Sequence, residues 1–190
     1  YWNTLDPESF AEILFSPGLR SASAGSGAIG GVVELISSRP DPSSVWGAVL
    51  RGRFASAERS SGGRLQLSGG DGAIGLECAV NLRSFGDLRT GQGVQTQSGY
   101  GTSSLDFRLA WNSGGVDWTV GHDRSRIDDA WRTHSTIYGQ SFEGTTIGSD
   151  LRRVLDHRRE RYILTGSSRA RGALAPLSWT FSRPFHSDSR

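Results

Sequence analysis

Methionine and lysine are absent from this 190-residue chain, and cysteine occurs once, at Cys78. A lone cysteine excludes an internal disulfide and any cysteine-rich metal site. Without lysine, all the positive charge rests on 21 arginines, scattered against 19 acidic residues for a net charge of +2. A nucleic-acid surface would gather its basic residues on one face or in one run, so no nucleic-acid partner is expected. No apolar run is long enough for a spanning helix, and the mean hydropathy is −0.39. That excludes helical spans only, because a membrane-crossing strand alternates apolar and polar residues and keeps a low mean hydropathy. With no initiator methionine, and Tyr1 beginning in mid-phrase, the chain is expected to belong to a longer protein whose export signal lies outside it.

Catalytic patterns are also missing. His122, His134, His157 and His186 lie far apart in sequence, and no serine or cysteine has a base at recognisable spacing. The adjacent acids Asp128 and Asp129 open a long loop and read as solvated charges, not as an acid/base couple. No enzyme activity, catalytic residue, metal centre or cofactor is expected.

What the chain does have is glycine, grouped with purpose. GSGAIGGVVELISSRP, residues 25 to 40, sets Gly25, Gly27, Gly30 and Gly31 ahead of Val32, Val33, Leu35 and Ile36, and stops at Pro40. Glycine permits positive φ and close backbone approach, and β-branched residues suit a strand, so a tight turn feeding a strand is expected. A phosphate-binding loop is disfavoured because no lysine follows and a strand, not a helix, comes next. Upstream, Asp6, Pro7 and Glu8 form a helix start, with Phe10, Ile13 and Leu14 giving a short apolar face.

Pro40, Asp41, Pro42, Ser43 and Ser44 form a breaker cluster, which places a domain boundary between residues 1–42 and 43–190. Beyond it, period-two alternation persists almost to the end. Trp46, Ala48, Leu50 and Phe54 share a face, as do Leu65 and Leu67. The same holds for Ile74, Leu76, Cys78, Val80 and Leu82, for Leu105, Phe107, Leu109 and Trp111, for Val116, Trp118 and Val120, and for Leu177, Trp179, Phe181 and Phe185. About seven strands are expected. Alternation alone fits a soluble sandwich or a barrel. Link lengths discriminate: short near 69–72 and 112–115, compact near 171–176, long over about 85–101 and 127–159. Short turns on one rim and long loops on the other point to an outer-membrane barrel, with its first strand running outward. Trp46, Phe54, Trp111, Trp118, Trp179 and Phe185 would then meet lipid. Arg51, Glu77, Arg83, Asp106 and Arg108 would line the lumen and contact the N-terminal domain. An odd, short set of strands leaves free edges, so the barrel is expected to be incomplete.

LDPESFAEILFSPGLRSASAGSGAIGGVVELISSRP, residues 5 to 40, resembles the last part of the plug domain of TonB-dependent outer-membrane receptors. The shared parts are an Asp-Pro-started short helix, a strand ending in a glycine turn, a small-residue segment, and a Gly-Ala-Ile-Gly-Gly turn opening a final strand. The resemblance implies an all-β fold: the C-terminal part of a small α+β plug (1–42), then the first strands of a transmembrane antiparallel β-barrel (43–190). It implies active uptake of a ferric siderophore, another ferric chelate or haem across the bacterial outer membrane, with TonB and outer-membrane lipid as partners. Gly25, Gly27, Gly30 and Gly31 would anchor the plug. The alternative is a passive porin-like or adhesin-type barrel, which needs no such glycine-led strand; a soluble β-sandwich binding module comes third.

The longest loop is where a ligand is expected. It carries Arg132, His134 and Tyr138, then Arg152 and Arg153 within a run of arginines. DDAWRTH resembles a segment of the haem and haemoglobin branch of these receptors. Arginines would hold the anionic groups of a chelate or haem propionates, and His134 and Tyr138 have side chains able to ligate haem iron.

Overall fold

The computed structural model describes residues 5–18, 30–91, 93–139, 141, 146–168 and 177–189, and is nearly all β. Its helical elements, among these residues, are two three-residue 3-10 turns, Pro7–Ser9 and Thr133–Ser135, and no helix is long and apolar enough to cross a membrane.

β1 (Phe10–Pro17) and β2 (Gly31–Ser37) pair antiparallel as a ribbon. β3 (Gly47–Ala55), β4 (Ser60–Gly70) and β5 (Ile74–Phe85) begin the main sheet. β6 (Leu88–Thr90) and β7 (Gly93–Gln95) form a small hairpin within the next link. β8 (Tyr100–Ser113), β9 (Val116–Trp131), β10 (Val154–Ser168) and β11 (Ser178–Ser189) complete the sheet. Its seven strands lie in the order β3-β4-β5-β8-β9-β10-β11, every pair antiparallel. The all-β class and the seven-strand succession match the expectation from alternation; β3 and β11 are the edges.

Three local expectations are corrected. The helix start at Asp6 makes a single 3-10 turn: the Asp6 carboxylate accepts from the Glu8 N–H at 3.2 Å, and the chain is extended again by Phe10. Ile13 and Leu14 then belong to a strand, because pairing with Leu35 and Glu34 in β2 outweighs a helical spacing that only local contacts would support. Next, the loop expected over 127–159 is shorter: β9 runs to Trp131 and β10 begins at Val154. Finally, β3 and β4 are joined by residues 56–59 alone, so one link on the long-loop rim is short.

Gly31 is where glycine is needed. At φ +143 it lies opposite Pro17, and a Cβ there would sit 2.8 Å from the Ser16 carbonyl oxygen. Gly30 has open space around it. Gly25 and Gly27 lie outside the described residues, as does the turn expected near 171–176.

The sheet has one polar, largely covered face and one apolar, open face. Its buried side chains are largely polar, with Arg64 3% and Arg108 2% exposed beside Asn81, Ser104 and Asp106. The opposite face is apolar and open: Leu50 is 79% and Phe54 73% exposed, and Leu65, Leu67, Val80, Leu82 and Phe181 are exposed as well. Strand alternation with the observed register puts all of these on one side.

Candidate functional site

Two regions bring polar groups together. The first is a seam between the N-terminal segment and the polar face of the sheet. The turn at Pro7–Ser9 aims Asp6 onto β4, β5 and β8, where its Oδ2 accepts hydrogen bonds of 2.6 Å from Asn81 Nδ2 and 2.6 Å from Ser104 Oγ. Arg83 Nη2 lies 3.2 Å from Asp6 Oδ1 and 3.0 Å from Glu8 Oε1. Arg64 Nη1 sits 2.9 Å from Asp106 Oδ2 and 3.6 Å from Asp6 Oδ2, and Ser9 Oγ donates to Asp106 at 2.8 Å.

The seam continues along the ribbon. Arg108 and Arg161 both pair with Asp123. The Arg161 guanidinium also lies 5.7 Å above the Phe10 ring and donates to Ser37 Oγ at 3.4 Å. Ser38 bonds Glu77, which also accepts from Gln66 Nε2 at 3.1 Å, and Arg39 pairs with Asp117 at 3.1 Å. Burial alone pushes the Asp6 carboxyl up, but the hydrogen bonds from Ser104 and Asn81 and the Arg83 charge outweigh it and hold the group below its ordinary value. Beside Asp6 a cavity of about 170 Å³ opens toward the long-loop rim, lined by Arg83, Thr102 and the stacked pair Phe85–Tyr100, centroids 4.6 Å apart.

Of the lumen residues expected from sequence, Glu77, Arg83, Asp106 and Arg108 meet partners here, whereas Arg51 is exposed near the sheet edge. Asp6, Arg64, Asp123 and Arg161 were not singled out for this role, since their partners lie far away in sequence; Ser104 and Asp6 are 98 residues apart.

The second region is the expected ligand loop. Residues 132–139 fold back against 148–153: the Arg132 N–H donates to the Arg153 carbonyl at 2.9 Å, Ile137 to Asp150 at 3.0 Å and Gly148 to His134 at 3.1 Å. Thr136 is fully buried beneath, its Oγ1 donating to the Thr133 carbonyl at 2.7 Å. Thr133 Oγ1 reaches the Gln97 carbonyl at 2.6 Å, which ties this loop to the one carrying β6 and β7. Arg153 pairs with Asp150 at 3.1 Å. Arg132, His134, Tyr138 and Arg152 are exposed on the same compact loop. The backbone thus joins the halves bearing Arg132 and Arg153; among the described residues no group of three or more histidine, cysteine or acidic residues suited to a metal occurs. The histidines are not all dispersed: His157 and His186 stack across β10 and β11 at 5.9 Å, and His122 stacks on Tyr162 at 4.6 Å.

No protein-family model matches this sequence, and no curated protein matches it significantly either.

Proposed function

We propose that this chain is the end of the plug and the first strands of the barrel of a TonB-dependent outer-membrane receptor, which imports a ferric siderophore or other ferric chelate, or haem. The observation that carries the reading is the seam. An N-terminal segment supplies Asp6 and Glu8 to arginines on one face of a sheet whose other face is apolar and exposed. A segment held that way occupies the lumen side of a lipid-facing wall.

The slant of the apolar belt supports the membrane part independently. Phe54 on β3 lies in register, through Ser61, Ser84 and Gly101, with Asp128 on β9. The apolar face that reaches Phe54 on β3 ends on β9 at His122, six residues short of Asp128, beyond which come Arg124 and Arg126. Six residues are roughly 20 Å along a strand, and four strand spacings are roughly 19 Å, so the boundary slopes at about 45° to the strands' perpendicular. Outer-membrane strands tilt by about 35–45° against the bilayer, which would generate such a slope. Trp111, Trp118 and Trp179 meet at the short-turn end, with ring centroids 6.3 and 5.0 Å apart, where an interfacial girdle belongs.

The docked segment separates this reading from a passive barrel, which has no use for it. In the full-length protein with Cys78→Ser, a membrane-impermeant maleimide should label Ile137→Cys in intact cells, and Ser113→Cys only after the outer membrane is opened. Equal labelling of both from outside would remove the membrane orientation. Growth on haem or a ferric siderophore as sole iron source should require TonB; growth without TonB would leave the passive barrel standing.

A further inference from the structure

The lipid-facing side carries a second polar feature that the uptake reading does not use. On the outward face of β9, β10 and β11, at the edge of the apolar belt, Arg124 stands in register with Glu160 and Arg126 with Arg158. Arg183 stands opposite Tyr162, with its guanidinium 4.7 Å above the Phe185 ring. Arg124, Arg126 and Arg158 side chains are 41%, 51% and 52% exposed. Their acids are fewer. Glu160 serves both Arg158, at 3.0 Å from Nε, and Arg124, at 3.7 Å, and Asp128 serves Arg126. With Asp156, which shares this face of β10 and accepts from the Asp129 N–H at 2.9 Å, four cations face three carboxylates, and each guanidinium has five donors to share among them.

Directly below, the surface turns apolar and aromatic. His122 stacks on Tyr162, whose edge meets Phe185 at 6.1 Å, and Leu164 and Phe181 follow down the same face. A surface hollow of about 420 Å³ opens there between Arg158, Glu160, Tyr162 and Phe185.

We propose that this patch binds the phosphate group of a lipid in the leaflet on the long-loop side, with the acyl chain lying along Leu164 and Phe181. The proposal rests on the membrane reading above. A planar guanidinium can take two phosphate oxygens at once, and the surplus positive charge favours an anion over a zwitterion. The adjoining apolar groove favours a lipid over a free anion, which would gain nothing from it.

The test uses the full-length protein, extracted in non-ionic detergent and titrated with dioleoyl phosphatidic acid, dioleoyl phosphatidylcholine or inorganic phosphate, with bound lipid counted by native mass spectrometry. Phosphatidic acid should be retained about tenfold better than phosphatidylcholine, and the double variant Arg124→Gln, Arg158→Gln should lower its retention by about tenfold or more. Arg89→Gln, on the β6 hairpin, should change nothing. Equal retention of the two lipids, or displacement of phosphatidic acid by excess inorganic phosphate, would overturn the proposal. Protease protection of the same protein in phosphatidylcholine vesicles reports insertion separately: insertion without headgroup preference sinks the lipid site alone, and failure to insert sinks the membrane reading with it. Should the double variant misfold, the comparison of lipids on the unaltered protein and the single variant Arg158→Gln decide the matter.

Discussion

Replacing Asp6 by alanine should release the N-terminal ribbon from the sheet while leaving the sheet intact. The side chain is 9% exposed and engages Asn81, Ser104, Arg83 and Arg64. Removing one partner of a buried ion pair costs about 3–5 kcal/mol. Here neither arginine is left wholly alone, since Arg64 keeps Asp106 at 2.9 Å and Arg83 keeps Glu8 at 3.0 Å. The low end, about 3 kcal/mol, is therefore expected, which corresponds to about a 150-fold rise in the opening equilibrium. Hydrogen exchange by mass spectrometry on the full-length protein in detergent would read this as faster exchange of β1 and β2 amides, with β5 and β8 unchanged. Because the folded Asp6 carboxyl titrates below its unfolded value, its contribution is complete above about pH 4 and is lost as the pH falls through the folded value. Ribbon exchange, corrected for intrinsic rates, should thus be level from neutral pH to about 5 and accelerate below about 4. Asp6→Asn should flatten that profile. If the alanine variant exchanged within about twofold of the parent, the seam would not be what holds the ribbon.

Three further outcomes follow from the same geometry. Gly31→Val forces a branched side chain to φ +143 against the Ser16 carbonyl and should destabilise the ribbon by about 2 kcal/mol or more, whereas Gly30→Ala, in open space, should cost under about 1 kcal/mol; exchange of β1 amides measures both. Thr133→Val removes the 2.6 Å bond to the Gln97 carbonyl and should loosen both long loops by about 1–2 kcal/mol, seen as faster exchange of residues 93–99 with β8 unaffected. Joint replacement of Arg132 and His134 by alanine should cut growth on haem by about tenfold or more with surface expression retained; unchanged growth would take the haem preference away from this loop.

The readable parts of the sequence were those where one face of a strand is apolar. Leu76, Cys78, Val80 and Leu82, or Leu105, Phe107, Leu109 and Trp111, mark their strands because the opposite positions are polar, so the period shows. The outer ends of β9 and β10 are unreadable because Asp156 to Arg161 are polar on both faces and Arg124 to Asp129 hold one apolar residue, the buried Ile127; a strand that has left the apolar belt carries no alternation to read. Phe10 to Leu14 misled for a different reason. Its apolar spacing fits a helical turn, and what makes it a strand is pairing with β2, whose intervening residues hide the partner from any local window. The polar face was legible in kind, through Glu77, Arg83, Asp106 and Arg108, but its partners were not. Asp6 reads as a helix cap, which it is in part, since Oδ1 accepts from the Glu8 N–H while both oxygens also serve the sheet, Oδ1 through Arg83 and Oδ2 through Asn81 and Ser104.

In the receptor proposed above, that double use bears on what could move through the lumen. Around Asp6 the sheet itself contributes five arginines, Arg64, Arg83, Arg108, Arg159 and Arg161, against two acids, Asp106 and Asp123; Asp6 and Glu8 from the N-terminal segment cut that excess of three positive charges to one. Withdrawal of that segment takes both acids with it and leaves a more strongly positive wall. In the receptor proposed above, the displacement that opens a passage would therefore also make that passage attractive to anions, as ferric chelates and haem propionates are. Return of Asp6 and Glu8 would expel the same anion by competing for the same arginines, so one set of contacts would serve both to close the channel and to clear it.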